Sequence, residues 1–149
     1  MSMNRETVTS KKYVQLLAPA AAVTADTSSV YLDLQGFDAV DIVATYSDVT
    51  ASAGSNNIVI KVQEASATPG TAGSYTDVAA ANLRGTMPTL QNAVTANVAA
   101  VGVVGSKRYL RVLLDATGTV SAFVSLMAVL TLSDRDPANA KTVTTGAVS

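Results

Sequence analysis

Lys107–Leu132 reads KRYLRVLLDATGTVSAFVSLMAVLTL, two period-two patterns flanking the turn-like run Asp115-Ala116-Thr117-Gly118-Thr119. In the first pattern Leu110, Val112 and Leu114 share one face, with Arg111 and Asp115 on the other. In the second, Val120, Ala122, Val124, Leu126, Ala128, Leu130 and Leu132 form an unbroken apolar face. Ser121, Ser125 and Thr131 lie opposite it, interrupted by Phe123, Met127 and Val129. Such alternation is the mark of a strand with one face against a core. Pairing Leu114 with Val120, Val112 with Ala122 and Leu110 with Val124 would keep both apolar faces together, so the spacing predicts a hairpin. The stretch therefore predicts a mainly β fold.

The same period recurs outward from this stretch. Val30, Leu32 and Leu34 alternate with Tyr31, Asp33 and Gln35 before Gly36, and Val40, Ile42, Ala44 and Tyr46 share a face. Ser47–Asn57 reads as a loop of small polar residues, after which Ile58, Ile60 and Val62 point inward and Lys61 and Gln63 outward. Pro69-Gly70 and Gly73 mark a long turn, and Tyr75–Val78 reads as a short edge strand. Ala79–Val94 has neither period, and Val94–Val104 is weakly strand-like. Short strands separated by small-residue turns predict an all-β fold, a single β-sandwich or jelly-roll-like barrel with extended N- and C-terminal arms. The division expected is an N-terminal arm over 1–29, with a short first strand or docked segment at Tyr13–Leu17. A sandwich over 30–132 and a polar tail over 133–149 complete it.

Composition narrows the functional classes. Among 149 residues only 14% are charged, the formal net charge is -1, and no run of like charge occurs. Phosphate binding needs a concentrated basic face, so nucleic acid is not the expected partner. There is no cysteine and no histidine, which removes thiol chemistry, the usual neutral-pH acid/base and the commonest transition-metal ligand. No cofactor or metal is expected. The first residues, Met1-Ser2-Met3-Asn4-Arg5-Glu6, lack the order of a signal peptide, and Val120–Leu132 is too short and too serine-broken for a membrane helix. A low-charge, β-rich chain risks edge-to-edge aggregation, which ordered assembly relieves by pairing or covering the edges.

No constellation of chemistry-bearing residues converges. Asp134-Arg135-Asp136 has an arginine between its carboxylates and lacks the spacing and turn glycine of a calcium loop. Asp38 and Asp41 flank a turn, and Glu64 with Asp77 form an acid pair only if a cleft brings them together. Gly102-Val103-Val104-Gly105 reads as a turn, and no phosphate loop, dinucleotide fingerprint or nucleophile elbow is present. No catalytic residue is assigned. Lys107, Arg108 and Arg111 place three of the ten basic residues within five positions. They read either as a solubilising outer face or as a salt-sensitive contact with an acidic partner surface.

Four segments carry a family resemblance. They are Leu16-Leu17-Ala18-Pro19-Ala20, Val30-Tyr31-Leu32-Asp33-Leu34-Gln35-Gly36-Phe37, Tyr75-Thr76-Asp77-Val78-Ala79-Ala80, and Val103-Val104-Gly105-Ser106-Lys107-Arg108-Tyr109-Leu110-Arg111-Val112. Over roughly residues 14 to 132 the chain resembles the head decoration, cement or head-fibre base proteins encoded beside the major capsid protein in tailed bacteriophages. The resemblance implies a β-sandwich that binds the outside of the capsid lattice in many copies, with the major capsid protein as partner and no catalytic residues. The expected location is the exterior of the virion head. The tail departs from the family pattern, which often ends soon after the last strand in a short basic, proline-containing motif. The alternatives are another virion part, such as a tail-tube, connector or fibre protein, and a carbohydrate-binding or adhesive β-sandwich. The last would want exposed aromatics over a groove, from a stock of five tyrosines, two phenylalanines and no tryptophan.

Overall fold

A strand with one apolar side needs a second layer to cover it, and the chain supplies that layer with two antiparallel sheets packed face to face. The computed structural model describes residues 11–37, 39–67, 69–92, 94–131 and 143–148. Its strands are β1 (Lys11–Leu17), β2 (Thr27–Ser28), β3 (Tyr31–Asp33), β4 (Ala39–Ala51), β5 (Asn57–Ala65) and β6 (Thr76–Asp77). Then follow β7 (Leu83–Arg84), β8 (Thr89–Gln91), β9 (Asn97–Val103), β10 (Tyr109–Thr117), β11 (Val120–Thr131) and β12 (Thr145–Gly146). Five strands form one sheet in the order β1-β11-β4-β9-β7. The seven-stranded sheet has β5 and β10 at its centre, with β2 and β3 along the far side of β10 and β6 and β8 along the far side of β5. β12 extends it beyond β3. The fold is an all-β sandwich.

The inward positions are those that alternation assigns. Val40, Ile42, Ala44 and Tyr46 on β4, Ile58, Ile60 and Val62 on β5, and Leu110, Val112 and Leu114 on β10 are buried. They meet Val120, Ala122, Val124, Leu126, Ala128 and Leu130 of β11 in one continuous core.

The pairing is not the one that the spacing suggests. β10 and β11 are not hydrogen-bonded partners. β10 pairs with β5, Leu114 opposite Ile60 and Val112 opposite Val62, whereas β11 lies between β4 and β1. Thr117-Gly118-Thr119 is therefore an arch that carries the chain from one sheet to the other. In a hairpin, both apolar faces would point the same way and still need cover. Across an arch each covers the other, burying the same residues with no further layer. Gly118 makes the crossing possible. It adopts φ +69, and a Cβ there would collide with the Asn56 side chain, whose amide also donates to the Thr119 carbonyl at 3.3 Å.

Three boundaries also shift. β4 runs on to Ala51, so only Ser52–Asn56 remain of the loop expected over Ser47–Asn57. The extra length is accommodated by a bulge. Phe123 faces Ser47 while Ser121 faces Thr50, and Asp48 sits between them at φ +50, a conformation aspartate tolerates better than most residues. Among the described residues, the sandwich already includes Lys11–Leu17, ahead of the expected start at Val30. β1 pairs with β11 from Lys11 to Leu17, and Leu16 and Val23 are buried core residues. The described part of the expected N-terminal arm is thus sheet, because its apolar residues fill core positions that β11 alone leaves open. Of the expected polar tail, Val143 packs against the core and Thr145–Gly146 pair with β3. Asp134-Arg135-Asp136, Asp38 and Leu132 lie outside the described residues.

Candidate interaction surface

The three basic residues singled out in the sequence have different fates. Lys107 lies just before β10, donates its backbone N–H to Glu64 Oε2 at 3.0 Å, and holds its ammonium 3.9 Å from Glu64 Oε1. Arg108 makes a two-pronged pair with Asp33, Nε to Oδ1 at 3.0 Å and Nη2 to Oδ2 at 2.7 Å. Its guanidinium also lies 5.0 Å from the centroid of the Tyr109 ring. Arg111 faces away from the core, as alternation requires, yet is only 6% exposed. Its Nε donates to Gln63 Oε1 at 2.8 Å, its Nη1 to Ser28 Oγ at 3.2 Å, and its plane lies 4.6 Å from the Tyr75 ring centroid. Lys107 and Arg108 thus retain exposed side chains, and Arg111 does not.

These contacts belong to a network across the outer side of the seven-stranded sheet. Gln63 passes the hydrogen bonding of Arg111 on to Asp77 Oδ1 at 2.7 Å, and Lys61 pairs with Asp115 at 2.6 Å. Tyr31 and Tyr109 meet edge to face with centroids 6.0 Å apart. Tyr75 donates its hydroxyl to the Pro69 carbonyl at 2.8 Å. Burial pushes the Tyr75 phenol up to about 12 and draws the Arg111 guanidinium down, while the bonded Asp115 raises the Lys61 ammonium. The hydrogen bond from Arg108 holds the Asp33 carboxyl below its ordinary value. Three of the four segments that carry the family resemblance interlock here: Asp33 with Arg108, Tyr31 with Tyr109, and Tyr75 with Arg111. Together these contacts pin β3 and the Tyr75 segment beside β6 onto β10.

The outer side of the five-stranded sheet has the opposite chemistry. Tyr13, Val129, Asp41 and Gly102 form one row across β1, β11, β4 and β9; Gln15, Met127, Val43 and Ala100 form the next. Ser125, Thr45 and Val98 follow, and Phe123 and Ser47 close the patch. Tyr13 is 49% exposed, Val98 59%, Phe123 40% and Met127 38%, so these four stand in solvent, whereas Val129 is buried. Asp41 is the one charged residue of these rows on the four strands; Arg84 of β7 continues the first row beyond Gly102, and Lys11 opens the adjoining row with Thr131. The rectangle enclosing these rows, four strands at about 4.8 Å by seven residues at about 3.4 Å, is on the order of 450 Å², with Asp41, Gln15, Ser125, Thr45 and Ser47 set among its apolar groups. Its apolar part falls within the size of the largest patches on typical monomers, which are often functional. The sequence held a trace of it. Phe123, Met127 and Val129 interrupt the polar side of β11, but Tyr13 and Val98 join them only through strand order.

Between the two sides, at the end of the sandwich, is a hollow of about 380 Å³ lined by Leu34, Phe37, Val40, Val103, Lys107 and Arg108 among others. Glu64 is bound to Lys107 and Asp77 to Gln63, so each is engaged elsewhere than in an acid pair. Among the described residues no three histidine, cysteine, aspartate or glutamate side chains gather as metal ligands. No helix among them is long and apolar enough to cross a membrane. Compared with known proteins, the chain matches no family model, no curated protein and no solved structure.

Proposed function

We propose that this chain is a structural virion protein that binds the outer surface of a tailed-phage capsid and decorates or stabilises it, with the major capsid protein as partner. The observation that carries the proposal is the group of exposed apolar side chains, Tyr13, Phe123, Met127 and Val98, on the outer side of β1, β11, β4 and β9. A patch on the order of 450 Å² falls short of the roughly 800 Å² per partner of a standard stable interface. A single copy would hold on weakly. On a lattice, many copies that also touch one another gain avidity without a larger individual contact. The opposite side engages its polar groups in hydrogen bonds of its own, which leaves the apolar side as the docking face. Lys107 and Arg108, beside the hollow, are placed for a secondary polar contact.

A carbohydrate-binding reading has one observation in its favour, the gathering of Tyr31, Tyr75 and Tyr109 with two arginines on one side. Those rings are spent on one another and on the arginines, and Tyr75 is buried. The capsid reading therefore stands first. Its test is cosedimentation of the purified chain with heads prepared from phage lacking its gene. Binding that saturates, and survives a rise in salt from about 50 to 500 mM, is expected for a mainly apolar contact, because screening acts on charge pairs. Absence of binding to heads, with retention on a glycan array, would replace this reading with the second.

A further inference from the structure

β12 occupies the open edge of β3 through a contact small enough to exchange. Asp33 donates its backbone N–H to the Thr144 carbonyl at 2.9 Å, and the ladder continues with Thr145 opposite Leu32 and Gly146 opposite Tyr31. The seat is specific for all its brevity. A Cβ at position 146 would lie 2.7 Å from the Tyr31 ring, so the ring closes over a glycine, and Val143 packs against the core just before it. We propose that the outer edge of β3 is a strand-exchange site whose ligand is the Val143–Val148 segment of a second copy of this chain.

Three observations favour that occupant. The site's chemistry is already known from the segment that fills it: a strand with an apolar residue, then a glycine three positions on, running antiparallel to Tyr31–Asp33. A second copy presents the same segment, so exchange loses no contact, and only the tether distinguishes the two arrangements. That tether is generous. Thr131 lies opposite Ala39, and six residue steps lead from Ala39 to Asp33, so at most about 21 Å of chain separates the two ends of the path, plus the width of one strand pair. Twelve residue steps lead from Thr131 to Val143 and reach up to roughly 40 Å. The surplus can carry the segment to a neighbouring molecule. Edges this short open at little cost, and a crowded lattice raises the local concentration of the competing copy. The exchange is a property of the chain alone and requires no capsid.

The chain has no cysteine, which makes the test direct. Directly opposed residues of this kind have Cα atoms about 5.5 Å apart, within disulfide range. The double variant Tyr31→Cys/Gly146→Cys can close the bond within one chain or between two, with the same local geometry. Oxidised at increasing protein concentration, it is expected to yield covalent dimers that rise several-fold above the background set by Tyr31→Cys alone. Mass spectrometry should find position 31 joined to position 146 in them. Closure within monomers at every concentration would overturn the proposal. Should the double variant not fold, the unaltered chain decides. Light scattering after storage at high concentration should show a dimer fraction that a chain ending at residue 142 lacks, and equal behaviour of the two would overturn it.

Discussion

Arg111 is the residue that departs furthest from its sequence reading. Alternation sends it to the outer side of β10, where a charged residue ordinarily reaches water, yet Tyr75, more than thirty residues away in sequence, folds over it. Its charge meets neutral groups, Gln63, Ser28 and a ring face, instead of a carboxylate. Truncation by Arg111→Ala would strand Gln63 Oε1 and open a gap under Tyr75, at a cost of about 1–3 kcal/mol in urea unfolding. Arg111→Lys should recover only part of it, because an ammonium lacks both the flat face and the fork of donors. Asp33 gives a pH signature. Its folded pKa is depressed, so its contribution is complete above the unfolded value near 3.8 and disappears as pH falls through the lower folded value. Asp33→Asn should therefore lower the melting temperature at pH 6 and lower it less at a pH acid enough to protonate the wild-type carboxyl through its lowered folded value. An equal deficit at both pH values would show that the pair with Arg108 contributes through packing rather than charge.

Among the elements, the arch between β10 and β11 shows what a sequence reading delivers and what it lacks. Gly118→Ala should cost about 1–2 kcal/mol from the left-handed backbone alone, with more from the collision with Asn56. A two-residue hairpin designed into the same position should not rescue it, because the flanking strands belong to different sheets. Leu126→Ala, at a fully buried position of β11, should cost about 2–5 kcal/mol in the same assay. The side on which each residue lies was legible, since a period of two assigns faces with no knowledge of neighbours. Val120 to Leu130, Val40 to Tyr46 and Ile58 to Val62 all took their expected sides. Partnership was not legible, because the same apolar face is satisfied beside another strand or opposite one, and a short glycine-containing turn permits both. β6, β7 and β8 are two or three residues long, too short to display any period. The apolar surface patch was half legible. Its β11 contribution shows as apolar breaks in a polar side, while Tyr13 and Val98 reach it through a strand order that only tertiary structure sets.

At the scale of the whole molecule, the two outer sides divide the labour. The seven-stranded sheet spends its polar and aromatic groups internally, binding β3 and β6 to the centre. The five-stranded sheet leaves Tyr13, Val98, Phe123 and Met127 in solvent and keeps its outward charges, Lys11, Asp41 and Arg84, toward one end. A protein with so few charged residues would be expected to protect such a surface unless a partner covers it. The most direct measurement is therefore the occupancy of heads by a chain carrying Phe123→Asp and Met127→Lys, two solvent-facing positions outside the core, with its fold checked by circular dichroism and thermal melt. Copies bound per head are counted by quantitative gel after cosedimentation, beside the unaltered chain. The account predicts a normally folded variant whose occupancy drops at least about tenfold, the loss expected from about 1.4 kcal/mol of binding free energy. A folded variant that decorates heads as fully as the unaltered chain would contradict it.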